Sequence, residues 1–104
     1  MSGTRFEWDV AKSQSNLRKH GVSFENASLV FRDPLHISVL DRIENGEQRW
    51  QTYGQVWNVT ILVVAHTIVD SDEDGQPVEI IRIISARRAD RKERQRYEHE
   101  NNQI

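Results

Sequence analysis

The spacing of hydrophobic positions changes along the chain, and the changes mark out its elements. Phe6 and Trp8 flank Glu7 in a short extended segment, and Asp9 then offers the side chain that an N-cap needs. A helix is expected from there to His20, stopping at Gly21, the residue best able to take the left-handed conformation that closes a helix. Val10 and Leu17 give this helix only a thin apolar stripe. Ser23 is a second N-cap, opening a helix from Phe24 to Phe31 on which Ala27, Val30 and Phe31 keep helical spacing. Asp33-Pro34 ends it, because proline cannot continue the hydrogen-bond ladder.

After Pro34 the period falls to two. Leu35, Ile37 and Val39 alternate with His36, Ser38 and Leu40 as in a strand, and Asn45-Gly46 is a turn signal. A second strand spans Gln48 to Tyr53, with Arg49, Gln51 and Tyr53 on one side and Gly54 closing it. Trp57 to Thr67 reads as a third, apolar on both faces around Ile61-Leu62-Val63-Val64, which suits a strand in the middle of a sheet. Val78 to Ala86 pairs back with it across a polar tip, Asp70 to Pro77. Alternation in this fourth strand sets Ile81, Ile83 and Ser85 on one face, with Ile80, Arg82, Ile84 and Ala86 on the other. Asp90 and Glu93 stand in capping-box spacing and open a C-terminal helix. The expected fold is therefore α+β, a single domain over residues 1–104. It has two N-terminal helices, an antiparallel sheet of about four strands and a C-terminal helix, the helices covering one sheet face.

Composition adds limits. With 37% hydrophobic and 29% charged residues the chain belongs to the soluble globular class. It has no cysteine, which excludes disulfide and thiolate chemistry and fits a reducing cytoplasm. The longest apolar run, Ile61 to Ala65, is far short of a membrane span, and Met1-Ser2-Gly3-Thr4 does not lead into a signal-peptide core. An intracellular protein without membrane contact is the expectation. Charge is unevenly placed: seven cationic residues against two carboxylates lie between Arg82 and Arg96, in a chain whose net charge is −2. Such asymmetry points to a local anionic partner.

The candidate chemistry is cationic. Asp70-x-Asp72-x-Asp74 hints at calcium but lacks the closing glutamate of a calcium loop, so a solvated hairpin tip is expected. His20, His36, His66 and His99 are isolated, no metal set is visible, and no cofactor is expected. No glycine-rich phosphate loop or nucleophile elbow occurs. Lys12, Asn16 and His20 share one helix face, which reads either as a solvated surface or as a functional one. Arg82 lies among isoleucines, where burial is costly unless the guanidinium is paired. It is held by a carboxylate such as Glu7 or Asp33, or it lines a cleft that a phosphate can reach. Arg87 and Arg88, at the strand end before a helix, could meet a phosphate with both their donors and the helix dipole. Arg, Lys, His and Tyr without a metal suit RNA cleavage by the neighbouring 2′-hydroxyl, in which cations stabilise the phosphorane and side chains move the protons. The alternative is a non-catalytic nucleic-acid-binding or protein-partner module whose basic helix only contacts phosphates.

Four segments carry a family resemblance. They are Phe6-Glu7-Trp8-Asp9-x-x-Lys12-x-x-x-Asn16-x-x-Lys19-His20-Gly21-Val22-Ser23-Phe24-Glu25-x-Ala27, Val30-Phe31-x-Asp33-Pro34, Arg82-Ile83-Ile84-Ser85-Ala86-Arg87-x-Ala89 and Glu93-Arg94-x-x-Tyr97-Glu98. In this order and at these intervals the chain resembles the BrnT family of type II toxins over nearly its whole length. The resemblance implies a RelE-like fold and a ribonuclease activity that arrests translation. It also implies neutralisation by a BrnA-like antitoxin with a ribbon-helix-helix domain, the complex sitting on its own operator DNA. Carried onto this sequence, it nominates Lys12, His20, Arg82, Arg87 and Tyr97 as catalytic, with Lys19 and Arg49 binding substrate beside Arg88. His20 and Tyr97 are chemically reasonable proton carriers. The acidic tip is longer than the family's usual hairpin, and Asn26 stands where a second Glu is common.

Overall fold

The computed structural model describes residues 3–101. Strand β1 (Gly3–Glu7) leads into helix α1 (Val10–His20), then helix α2 (Phe24–Ser28), which tightens into a 3₁₀ turn over Leu29–Arg32. Strands β2 (Ile37–Glu44), β3 (Glu47–Val56), β4 (Thr60–Glu73) and β5 (Gln76–Arg88) follow, and helix α3 (Arg91–Asn101) ends the description. The sheet order is β1-β5-β4-β3-β2. Four strands form the expected antiparallel meander, but the N-terminal segment adds a fifth, parallel to β5. The sheet is therefore mixed, not purely antiparallel.

Helix starts follow the sequence signals closely. Asp9 accepts from Lys12 N–H at 3.1 Å, Gly21 closes α1 at φ 72°, and Ser23 accepts from Asn26 N–H at 3.1 Å. Asp90 and Glu93 cap reciprocally, at 2.9 and 2.8 Å. The second helix is shorter than its apolar spacing suggests, since only Phe24–Ser28 is α-helical.

The helices cover both sheet faces, not one. On one face Val22, Phe24, Ala27 and Val30 pack on Leu62, Val64, Ile83 and Ala86. On the other Ala89 and Tyr97 pack on Tyr53, Ile61 and Val63. This is the physical counterpart of β4's double apolar character: Leu62 and Val64 need one cover, Ile61 and Val63 another.

Three local features depart from strict alternation. Gly54 lies inside β3 instead of closing it, because the sheet passes so near the 3₁₀ turn that a Cβ there would lie 2.6 Å from Val30 Cβ. The strand instead turns at Trp57-Asn58, both in the left-handed region at φ 52° and 65°, so Trp57 precedes β4. On β5, Ala65 pairs with Ser85 and His66 with Ile83, leaving Ile84 as a bulge. The bulge shifts the parity, and Ile83 and Ala86 enter the same core although alternation separates them. The acidic segment is mostly strand: its tip is Asp74-Gly75, and Glu73 accepts from Arg5 at 2.8 Å.

Candidate functional site

Helix α1 turns an unusual face inward. Its apolar residues Val10 and Leu17 are exposed, whereas Ser13 and Asn16 are buried. The reason lies opposite them. Strand β1 pairs with β5 only as far as Arg82, so the backbone of Ala86 lacks a strand neighbour on that side. Asn16 replaces it: its amide donates to Ala86 O at 2.7 Å and to Val22 O at 2.8 Å, and its carbonyl accepts from Ala86 N–H at 3.2 Å. Ser13 accepts from Phe24 N–H at 3.0 Å.

Asn16 thereby fixes the rest of its face along the β5 edge. Lys12, Ser15, Lys19 and His20 line a groove with Ile84 and Ser85, about 230 Å³ in volume. Three of the nominated residues, Lys12, Lys19 and His20, are thus brought together. Lys19 and His20 also occupy the last helical turn, where cations complement the helix dipole.

The remaining candidates lie elsewhere. Arg82 is exposed on β5, in register with Glu7 and Thr67, and among the described residues it makes no ion pair. The buried pair with Glu7 or Asp33 is not what it adopts. Exposure instead removes the desolvation cost that made a partner necessary. Arg88 is exposed at the end of the same strand. Arg87 is held by Glu93 through two hydrogen bonds, at 2.6 and 2.9 Å, which raise the guanidinium's pKa and lower that of the carboxyl. Arg49 stands opposite Arg42 on β3, 3.4 Å from Glu47 and 3.8 Å from Glu44, with its Nε buried and unbonded.

Tyr97 is buried, and its hydroxyl donates a short hydrogen bond to Asp33 Oδ2. Burial and the adjoining carboxylate raise its pKa. Asp33 also accepts from Gln55 N–H at 2.7 Å and Leu35 N–H at 2.9 Å. Partial burial works upward on this carboxyl, but the three donors outweigh it and hold it below the usual range. Asp33 therefore ties the 3₁₀ turn, β3 and α3 together. Read along the chain, Asp33-Pro34 signals only a helix stop, since nothing local shows partners 22 and 64 residues away.

One further polar chain crosses the core. His66 is fully buried, and its Nδ1 lies 3.3 Å from Thr67 O, which can only accept. That proton placement makes Nε2 the acceptor for Thr52 Oγ1 at 2.6 Å, and Thr52 in turn accepts from Ser38 Oγ at 2.7 Å. Burial lowers the imidazole to about 4.

A family model described as ribonuclease toxin, BrnT, of type II toxin-antitoxin system matches residues 8–93. The chain belongs to the BrnT family. It is a toxin of the ribonuclease class, and a type II system pairs such a toxin with an antitoxin. The crystal structure of the Brucella abortus ribonuclease toxin BrnT shares its fold, with a TM-score of 0.52 at 18% identity over 88% of this chain and 100% of that one. No curated protein sequence matches the chain. No helix among the described residues of this BrnT-family toxin is long and apolar enough to cross a membrane.

Proposed function

We propose that this toxin is a metal-independent endoribonuclease that cuts RNA through the 2′-hydroxyl and arrests translation, and that a BrnA-like ribbon-helix-helix antitoxin neutralises it, the complex binding operator DNA. The observation that carries the reading is the α1–β5 groove, where Lys12, Lys19 and His20 converge on Ser85. Two ammonium groups placed there favour a phosphate and the further charge that gathers on it as the 2′-oxygen attacks. His20 is the side chain in the groove able both to take and to give a proton. The 2′-oxygen bonds to phosphorus, the 5′-oxygen leaves with a proton, and the cut strand ends in a 2′,3′-cyclic phosphate. Arg82 and Arg88, exposed on the strand that floors the groove, extend the cationic track along the RNA backbone. Arg87 and Tyr97 serve by placement, since Glu93 and Asp33 already engage them.

The non-catalytic reading draws on that same engagement, which occupies two of the candidate catalytic groups. Incubating the purified protein with RNA in EDTA separates the two. Fragments with cyclic phosphate ends, lost in Lys12→Ala and His20→Ala, are expected; RNA binding without cleavage would remove the enzymatic reading. Because Arg82 is exposed and unpaired, Arg82→Ala should weaken cleavage and growth arrest while leaving the circular dichroism spectrum intact.

A further inference from the structure

A second cleft opens on the sheet where β1 and β5 run beside the 3₁₀ turn, lined by Phe6, Phe31, Arg32, His36, Glu79 and Ile81, about 300 Å³ in volume. None of its polar residues was nominated from the sequence. Its aromatic wall is partly open: Phe6 and Phe31 are half-buried, with ring centroids 5.4 Å apart, and the His36 ring lies 6.0 Å from Phe31. Arg32 and Glu79 line the same cleft, yet among the described residues neither forms an ion pair with the other or with a third group. A guanidinium and a carboxylate that share a cleft without meeting are each available to a ligand. His36 donates from Nδ1 to Asp33 O at 2.7 Å, which leaves Nε2 of the neutral ring as an acceptor.

Aromatic faces, a cation, and acceptors on one side are the parts that recognise a splayed nucleotide of single-stranded RNA. We propose that this cleft is a nucleobase subsite selective for guanine; the proposal rests on the ribonuclease reading and names what that enzyme recognises. The base stacks on one ring of the Phe6–Phe31 pair and packs against the edge of the other, which is tilted 47° to it, and Arg32 meets its phosphate. Glu79 accepts from the base edge. Guanine alone among the four bases presents a ring N–H and an amino group side by side on its Watson–Crick edge, matching both oxygens of one carboxylate. Ile81 in this cleft and Ser85 in the α1 groove are four residues apart on β5, at most roughly 13 Å at the rise of a strand.

The test is a titration of ¹⁵N-labelled protein with 5′-GMP, AMP, CMP and UMP, followed at the backbone amides, with RNA cleavage assayed on the same preparation. Saturable shifts at Phe6, Phe31 and Glu79 are expected, with GMP at least ten-fold tighter than the others. Glu79→Gln, at an exposed position, should cost GMP at least ten-fold and leave AMP unchanged, and cleavage next to guanine should lose its preference. Equal affinity for the four nucleotides, shifts confined to the α1 groove, or an unaltered Glu79→Gln would each overturn the subsite. RNA cleavage without guanine preference overturns the subsite and leaves the ribonuclease reading in place. Guanine-selective binding by a protein that cuts no RNA supports the subsite and removes that reading instead.

Discussion

Asn16 stands on the α1 face that the sequence leaves open between a solvated surface and a functional one, and it belongs to neither description. Helical spacing gives the angle between Lys12, Asn16 and His20 but not what lies across from them. Only the early end of β1 shows why the middle residue must carry an amide. Asn16→Ala would strip partners from Ala86 N–H, Ala86 O and Val22 O in a buried setting, at about 3 kcal/mol. Chemical denaturation measures this directly, and a loss under about 1 kcal/mol would contradict the role. His66 supplies a second residue-scale prediction. Its folded pKa of about 4 lies below the ordinary 6.5, so the unfolded chain binds a proton that the folded chain refuses between those values. Stability should therefore be complete above about pH 6.5 and fall as pH drops toward 4, by about 3 kcal/mol from this group, then level off. Comparing wild type with His66→Gln isolates the effect, and equal losses in both proteins would refute it.

At the scale of elements, signals written into adjacent residues were legible and those written into distant ones were not. Asp9, Gly21, Ser23 and the Asp90–Glu93 box name their own helix ends because each acts within four residues. The parallel pairing of β1 joins residues 75 positions apart, and five residues of Gly-Thr-Arg-Phe-Glu carry no mark of it. The bulge at Ile84 is equally silent, since a run of isoleucines has no preferred parity. Of the candidate site, Lys12, Lys19 and His20 could be grouped from α1 alone, whereas Glu79 and Arg32 are brought to one cleft, without touching, only by the sheet. Gly54 is the element-scale test. Its missing side chain lets β3 approach the 3₁₀ turn, with Val30 O 2.7 Å from where a Cβ would be. Because that obstacle is backbone, Gly54→Ala should lower stability by about 2–3 kcal/mol, read as a drop in melting temperature. A neutral result would mean that the turn is free to withdraw.

Across the whole molecule, charge is drawn out along one strand. β5 leaves the acidic hairpin at Gln76 and ends at Arg88, roughly 40 Å on at the usual rise, close to the molecule's 42 Å long dimension. A chain with net charge −2 can therefore approach RNA by its basic end while its acidic end turns away. RNA affinity should fall steeply with salt, and each of Lys12→Ala and Arg82→Ala should reduce the slope of log affinity against log salt by about 0.7, the value for one phosphate of a single strand. An unchanged slope in either variant would place that residue off the RNA path. The Asn16 amide has a consequence at this scale too. By occupying Ala86 N–H and O, it closes the β5 edge beside the groove to backbone pairing at that residue. An inhibitor that covers Lys12, Lys19 and His20 must then do so with side chains, so recognition there is decided by the inhibitor's sequence of acidic groups, and a stray strand of arbitrary sequence gains no foothold.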